Sequence, residues 1–255
     1  MIRPPRRISH NEELSLVDHL QELRLRLMIA GGAVLLGTVA GYLLHRPVLR
    51  LLVAELPPHR RHLVTFSVTE PFITSLKLSV AIGIALALPI VLWQTWAYFA
   101  PAFGRGLAPQ LGLFTALAGG LLGLGVGFGY RVALPAALRF LTTYDHHVYD
   151  IQIRATDYLS FALLVLAACG AVFELPIAVL GLVRVGALSS GRLRRNRRIG
   201  YFTVACIGVA LPGVDPVTTA IETIPLAILF EASIWLSVYF ERQWFSLSPP
   251  TDPGV

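Results

Sequence analysis

The residues of this 255-residue chain best placed to do chemistry are carboxylates in surroundings that disfavour charge. Glu174 stands in Phe173-Glu174-Leu175-Pro176, well inside an apolar run. A charge at mid-membrane costs roughly 2.5–3.5 kcal/mol even on the permissive insertion scale, so an acid there marks an ion path, a proton site or a partner contact. Glu231 is a second acid inside an apolar run, while Glu222 and Asp215 fall near its outer end, where water could reach them. Glu22 belongs to a different setting. The segment from Ser15 to Leu27 carries Leu16, Leu20, Leu23 and Leu27 on one stripe, with Asp18, Glu22 and Arg26 as an i, i+4 series on the other side. That face either meets solvent or offers Glu22 to a basic ligand at the membrane surface.

Other kinds of chemistry find no support. There is no His-Glu-x-x-His, no Gly-x-Ser-x-Gly and no paired intramembrane Asp suited to peptide hydrolysis. His59 with His62, and His146-His147, lack nearby cysteine or a clear third ligand and read as solvated loop histidines. The sequence predicts no enzyme and no metal. Cys169 and Cys206 both fall in apolar runs and read as free packing residues.

These acids need elements to hold them, and the composition says which. The chain is 55% hydrophobic and 14% charged, against roughly 25% charged in ordinary globular chains. A spanning helix needs ~20 apolar residues to cross ~30 Å. Candidate spans run from about Leu25 to Leu44, Phe72 to Leu92, Leu111 to Tyr130 and Tyr158 to Val183. A fifth run, Ile199 to Leu211, is short for a bilayer, and a sixth, Val217 to Phe240, is long enough but interrupted by Glu222 and Glu231. The fold class is therefore all-α: a polytopic membrane protein of about six transmembrane helices, the last two short. Arg131 to Leu141 reads as a helical extension of the third span, and Pro176 as a kink in the fourth. In the third span Gly119/Gly123, Gly123/Gly127 and Gly125/Gly129 are small-xxx-small pairs that predict close helix packing. A phosphate cradle is excluded, because no strand precedes the run and no Gly-Lys-Ser/Thr follows it.

Of the 21 basic residues, 20 are Arg, and they cluster between apolar runs. This favours membrane orientation over nucleic-acid binding. The cluster Arg192 to Arg198 sits between spans and predicts a cytoplasmic loop. Six spans then place both termini in the cytoplasm. Arg3, Arg6 and Arg7 lead into Asn11, Glu12 and Glu13 rather than an apolar core, so no cleaved signal is expected. The predicted division is a cytoplasmic tail over 1–14, one membrane domain over 15–240 and a tail over 241–255 whose Pro- and Ser-rich end is expected to be disordered.

Several stretches together resemble one family. They are Leu16-Val17-Asp18-His19-Leu20-Gln21-Glu22-Leu23-Arg24, Thr69-Glu70-Pro71-Phe72 with Lys77, and Trp93-Gln94-Thr95-Trp96-Ala97-Tyr98-Phe99-Ala100-Pro101 after Pro89. Phe128-Gly129-Tyr130 with Leu134-Pro135, Phe173-Glu174-Leu175-Pro176, the Arg-rich loop, Ile224-Pro225 and Phe230-Glu231 follow in order. In these the chain is similar to the TatC family, the multi-pass core of the twin-arginine protein translocase, from about Ser15 to Phe240. The resemblance implies a receptor for twin-arginine signal peptides in the bacterial cytoplasmic membrane, exporting folded proteins with the proton-motive force and using no cofactor. It implies TatA/TatB-like single-span partners, a homo-oligomer in the active complex, and no nucleic acid. Carried over by position, Glu22, Arg24, Gln94 and Tyr98 belong to the signal-peptide surface, with Pro101 near it. Glu174 becomes an intramembrane partner contact, Asp215 the acid of the last outer turn and Pro47 an outer-loop proline. Two positions depart from the family pattern: Leu107 replaces a loop glutamate that helps bind the twin arginines, and Thr219 replaces a glutamine after the outer-turn acid. A divergent paralogue would show such changes.

The alternative from another class is a proton-coupled small-solute transporter using Glu174 and Glu231, which calls for a water-filled cavity at those acids. A purely structural scaffold would tolerate a neutral residue at Glu174.

Overall fold

The computed structural model describes residues 16–99, 111–144, 151–184, 188–210 and 216–246. Helix α1, Leu16–Ala54, has 39 residues. At 1.5 Å per residue it is about 58 Å long, close to twice the ~30 Å hydrocarbon core. The amphipathic segment and the first span are thus one helix. It also runs ten residues past Leu44, so Pro47, matched to an outer loop, lies inside it. Its last carbonyls, and that of Leu56 just beyond it, are satisfied from other elements. Tyr158 donates to Leu52 O at 2.5 Å, Tyr130 to Leu51 O at 3.2 Å, and Arg61 to Ala54 O and Leu56 O at 2.9 and 3.1 Å.

Helix α2, Glu70–Phe99, packs antiparallel on α1. Gly37 lies against the Gly83 backbone and Gly41 against Ser79. These small residues let two helix backbones approach where any side chain would separate them. Helix α3, Leu111–Phe128, passes through a π-turn at Gly129–Ala133 into α4, Leu134–Thr143, making one rod that extends as the sequence predicts. Helix α5, Ala155–Phe173, breaks at Glu174, and α6, Leu175–Arg184, continues with Pro176 in its first turn, the position a helix tolerates best. The short α7, Ser190–Arg195, is capped by Ser189 Oγ, which accepts from Arg192 N–H.

Helix α8, Arg197–Ala210, has 14 residues, and α9, Pro216–Ser246, has 31. They run antiparallel, with Gly200 against the Phe230 ring and Gly208 against Thr223. Of these two helices only α8 is short, at about 21 Å over its described residues. The last helix reaches Ser246 because neither Glu222 nor Glu231 interrupts it. Among the described residues, five stretches are long and apolar enough to cross a membrane: His19–Ala54, Glu70–Thr95, Gly112–Thr143, Ala155–Arg184 and Thr219–Glu241.

The three small-xxx-small pairs of the third span divide. A Cβ at Gly125 would strike the Cys169 carbonyl and one at Gly129 would crowd Leu166, so this pair seats α3 on α5 as predicted. Gly119, Gly123 and Gly127 meet nothing within 4 Å. The expected close packing at Gly119/Gly123 and Gly123/Gly127 is absent among the described residues, because those glycines face outward. The tightest glycine contacts are at Gly200 and Gly208 of α8, followed by Gly41, Gly83 and Gly37 of α1 and α2.

The main core sits at the end of the bundle opposite the arginine cluster, where Leu52, Leu56, Leu78, Leu134, Leu138, Tyr158, Leu159 and Val165 pack together. Large apolar side chains cover the outside: Leu35, Leu36 and Leu43 are 68–78% exposed. On a soluble protein such a surface would aggregate, whereas in a bilayer it meets lipid. Hydroxyls in the spans return to the i−4 carbonyl, as in Thr38 to Val34, Ser79 to Ser75, Ser233 to Leu229 and Ser237 to Ser233. Their polar atoms are thereby paired without leaving the helix. Cys169 is buried and Cys206 exposed, both free.

Candidate functional site

Two short bridges join α1 and α2 at the end where α1 begins. Arg26 binds Glu22 Oε1 through Nε at 2.9 Å and Nη2 at 2.5 Å, and its Nη1 donates to Gln94 Oε1 at 3.1 Å. The i, i+4 spacing puts Glu22 and Arg26 one turn apart on one face. The antiparallel crossing brings Gln94 opposite them. One turn further out, His19 stacks on Tyr98 with ring centroids 4.6 Å apart, and Tyr98 Oη lies 2.7 Å from His19 Nε2. Arg24 is on α1 between these bridges and exposed. Glu22, Gln94, Tyr98 and Arg24 therefore share one end of the α1–α2 hairpin, although they come from segments some seventy residues apart. The pairing Glu22–Arg26 was legible in the sequence. The roles of Arg26 and His19 as connectors to α2 were not, because the register between helices has no local signature.

This arrangement is a set of acceptors around a guanidinium. Glu22 and Gln94 supply the oxygens, and an arginine of the chain itself now fills the position. The Glu22–Arg26 pair is only part-buried, with side chains 33% and 23% exposed. Such i, i+4 pairs contribute about 0.3–0.5 kcal/mol, so the contact is exchangeable.

Glu174 is elsewhere, at the break between α5 and α6. Its backbone N–H donates to Ala171 O at 3.2 Å and its carbonyl accepts from Ala178 N–H at 3.0 Å. Carboxyl Oε1 is shielded and has no hydrogen-bond partner among the described residues. Many span hydroxyls return to the backbone of their own helix, whereas this oxygen is an unmet acceptor among the described residues. Glu222 corrects an expectation: it is 2% exposed and not at a watered end, because α9 buries that face in the bundle. Glu231 is not a lone membrane acid either. Arg197 pairs with it at 2.8 Å and Tyr201 donates to it at 2.9 Å, tying α8 to α9. Asp215, Pro101 and Leu107 lie outside the described residues.

Sequence reasoning missed a polar clamp at the opposite end. Glu70, 4% exposed, receives Arg154 on both oxygens at 2.9 and 3.2 Å, Thr156 Oγ1 at 2.8 Å and Phe66 N–H at 3.0 Å. The hydrogen-bonded Glu70 carboxylate pushes the Arg154 guanidinium further up from its already high range. Val64 and Arg154 add a parallel bridge, with Val64 N–H to Ile153 O at 3.0 Å and Ala155 N–H to Val64 O at 2.9 Å. The segment after α1 is thereby fixed to the start of α5. The motif Thr69-Glu70-Pro71-Phe72 was visible, but nothing local pointed to Arg154.

A polytopic helical membrane protein with an acceptor cluster at one end and an intramembrane acid is the class these features define. A profile described as the Sec-independent protein translocase protein (TatC) matches residues 18–225. The Sec-independent protein translocase protein TatC of Carboxydothermus hydrogenoformans is 32% identical over 92% of this chain and 98% of its own length. That of Aquifex aeolicus is 32% identical over 90% and 97%, and TatCd of Bacillus subtilis 28% identical over 91% and 95%. Two crystal structures of the twin-arginine translocase receptor TatC superpose with TM-scores of 0.73 and 0.75 at 30% identity, covering 87% and 86% of this chain and 98% and 99% of theirs. The chain belongs to the TatC family of Sec-independent protein translocase components, and a small-solute transporter is not favoured.

Proposed function

We propose that the chain receives twin-arginine signal peptides at the α1–α2 end and serves as the core through which folded proteins are exported with the proton-motive force. The observation that carries this is Arg26, held by Glu22 and Gln94. A site that already seats one guanidinium has the acceptor geometry for another, since arginine presents a planar fork of donors that matches carboxylate and amide oxygens. Arg24 and Tyr98 flank the position, and the protein acts as a receptor, not a catalyst. We place it in a bacterial cytoplasmic membrane with both termini and the Arg192–Arg198 segment in the cytoplasm. In the active complex it works with TatA/TatB-like single-span proteins and with further copies of itself. The missing loop acid at Leu107 and the change at Thr219 suit a divergent paralogue with an altered cargo set.

Glu174 supports the partner contact. An unmet acceptor in hydrocarbon gains by meeting a donor on another helix, because lipid offers none. Glu174→Ala should accumulate normally yet lose co-purification of a single-span partner; retained partner and export would leave Glu174 a packing residue. For the receptor itself, a photo-crosslinking side chain at the exposed Leu20 should capture a twin-arginine signal peptide and leave its twin-lysine counterpart uncaptured. Equal capture of both, or of neither, would overturn the receptor assignment.

A further inference from the structure

We propose that the arginine-lined cavity where α7, α8 and α9 meet binds the phosphate headgroup of an anionic membrane phospholipid. The cavity has a volume of about 590 Å³ and is lined by Gly191, Arg194, Arg195, Arg197 and Trp235. Of its three arginines, Arg197 is committed to Glu231. Arg194 and Arg195 are exposed and form no ion pair among the described residues. The other nearby acid, Glu241, accepts from Ser190 N–H at 3.0 Å. Two guanidiniums therefore remain with unmatched charge. A phosphodiester, singly negative with several acceptor oxygens, is the ligand such planar donors bind best. Gly191 leaves the space over it open, with nothing within 4 Å of where a Cβ would lie.

The same cavity opens onto hydrocarbon. Trp235, 60% exposed, shares a face of α9 with Ile224, Ile228 and Tyr239, at 62%, 64% and 59%. The separations of four, seven and four residues keep these side chains in one stripe. An apolar track thus leads from the arginines along the helix, with an indole at the junction as expected at a membrane interface. Free phosphate would use only the arginines, while a phospholipid uses the arginines and lays its acyl chains on the stripe. The short α8 draws the bilayer surface down to this depth, since a helix of about 21 Å is accommodated by thinning. Basic pockets at a membrane surface recruit anionic headgroups in this way. The site stands apart from the α1–α2 acceptors, and its test needs no export.

The test is native mass spectrometry of the purified full-length protein in detergent, supplied with equal amounts of phosphatidylglycerol and phosphatidylcholine. The wild type should retain phosphatidylglycerol in clear preference. Arg194→Gln with Arg195→Gln should lower that retention by about thirtyfold, as expected for two interfacial arginines. Trp235→Leu, which keeps an apolar side chain but removes the indole donor, should weaken it less. Arg139→Gln, an exposed arginine on α4, should change nothing. Equal retention of both lipids, or undiminished retention by the double variant, would overturn the proposal. Displacement of the lipid by millimolar inorganic phosphate would reassign the cavity to a free anion and overturn it equally.

Discussion

At the α1–α2 site an incoming guanidinium must compete with one already in place. Arg26 occupies Glu22 and Gln94, and it also repels a second cation. The i, i+4 pair it forms is weak, about 0.3–0.5 kcal/mol, so a signal peptide with two arginines can displace it. Arg26→Gln should therefore tighten binding of a twin-arginine peptide by about two- to fivefold. Leu107→Glu should tighten it too, by restoring an acceptor where leucine offers none, and Glu22→Ala should nearly abolish it. Peptide affinity measured in nanodiscs distinguishes these outcomes; unchanged affinity in Arg26→Gln together with full binding by Glu22→Ala would dismiss the acceptor model. Glu70 poses a different case, because its carboxylate is fully engaged and its partner comes from a distant segment. Glu70→Ala leaves Phe66 N–H and Thr156 without an acceptor and Arg154 without its counter-charge. Its thermal midpoint in detergent should fall by several degrees, with Glu70→Gln falling less because the amide oxygen still accepts. A Glu70→Ala protein melting with the wild type would show that the clamp adds no stability.

Between elements, glycine position decides how close two helices come. A Cβ at Gly83 would collide with the Thr38 backbone nitrogen and Cα, so Gly83→Ala must push α1 and α2 apart. Gly123 faces open space, and alanine there only gains helix propensity, by up to ~1 kcal/mol. Melting of the two variants in the same detergent should show a clear loss for Gly83→Ala and none for Gly123→Ala; the reverse order would contradict this packing. The pair also shows what a sequence does and does not disclose. The apolar runs, the Glu174-Leu175-Pro176 break and the shortness of α8 are local properties, and each was legible. Which glycines face a neighbour was not, since Gly119, Gly123 and Gly127 carry the same spacing as Gly125 and Gly129. Arg154 beside Glu70 and Gln94 beside Arg26 were hidden for the same reason: pairings across 68 to 84 residues depend on register, which local patterns do not encode. Family resemblance, in contrast, placed Glu22, Gln94 and Tyr98 on one surface before any geometry was known.

Across the whole molecule the two ends differ in kind. One end holds the Glu70–Arg154 clamp, the capped end of α1 and the main core. The other holds the α1–α2 acceptors and the arginines of α7 and α8, with Arg192, Arg194, Arg195 and Arg198 all exposed. Arginines next to spans are retained on the cytoplasmic side during insertion, and density close to the spans weighs more than total count. The helices alternate direction, so fixing one end fixes all of them. If the α7–α8 end is cytoplasmic, the start of α1 is too, and the proposed signal-peptide site faces the compartment where cargo folds. The opposite orientation would put Glu22 outside and make a receptor for cytoplasmic cargo impossible. A background with Cys169→Ala and Cys206→Ala removes both native thiols. Into it, Arg195→Cys and His62→Cys place one probe at each end, both at exposed positions. A membrane-impermeant thiol reagent should label His62→Cys in intact cells and reach Arg195→Cys only after the membrane is opened. Labelling of Arg195→Cys from outside intact cells would reverse the molecule and with it the assigned receptor surface.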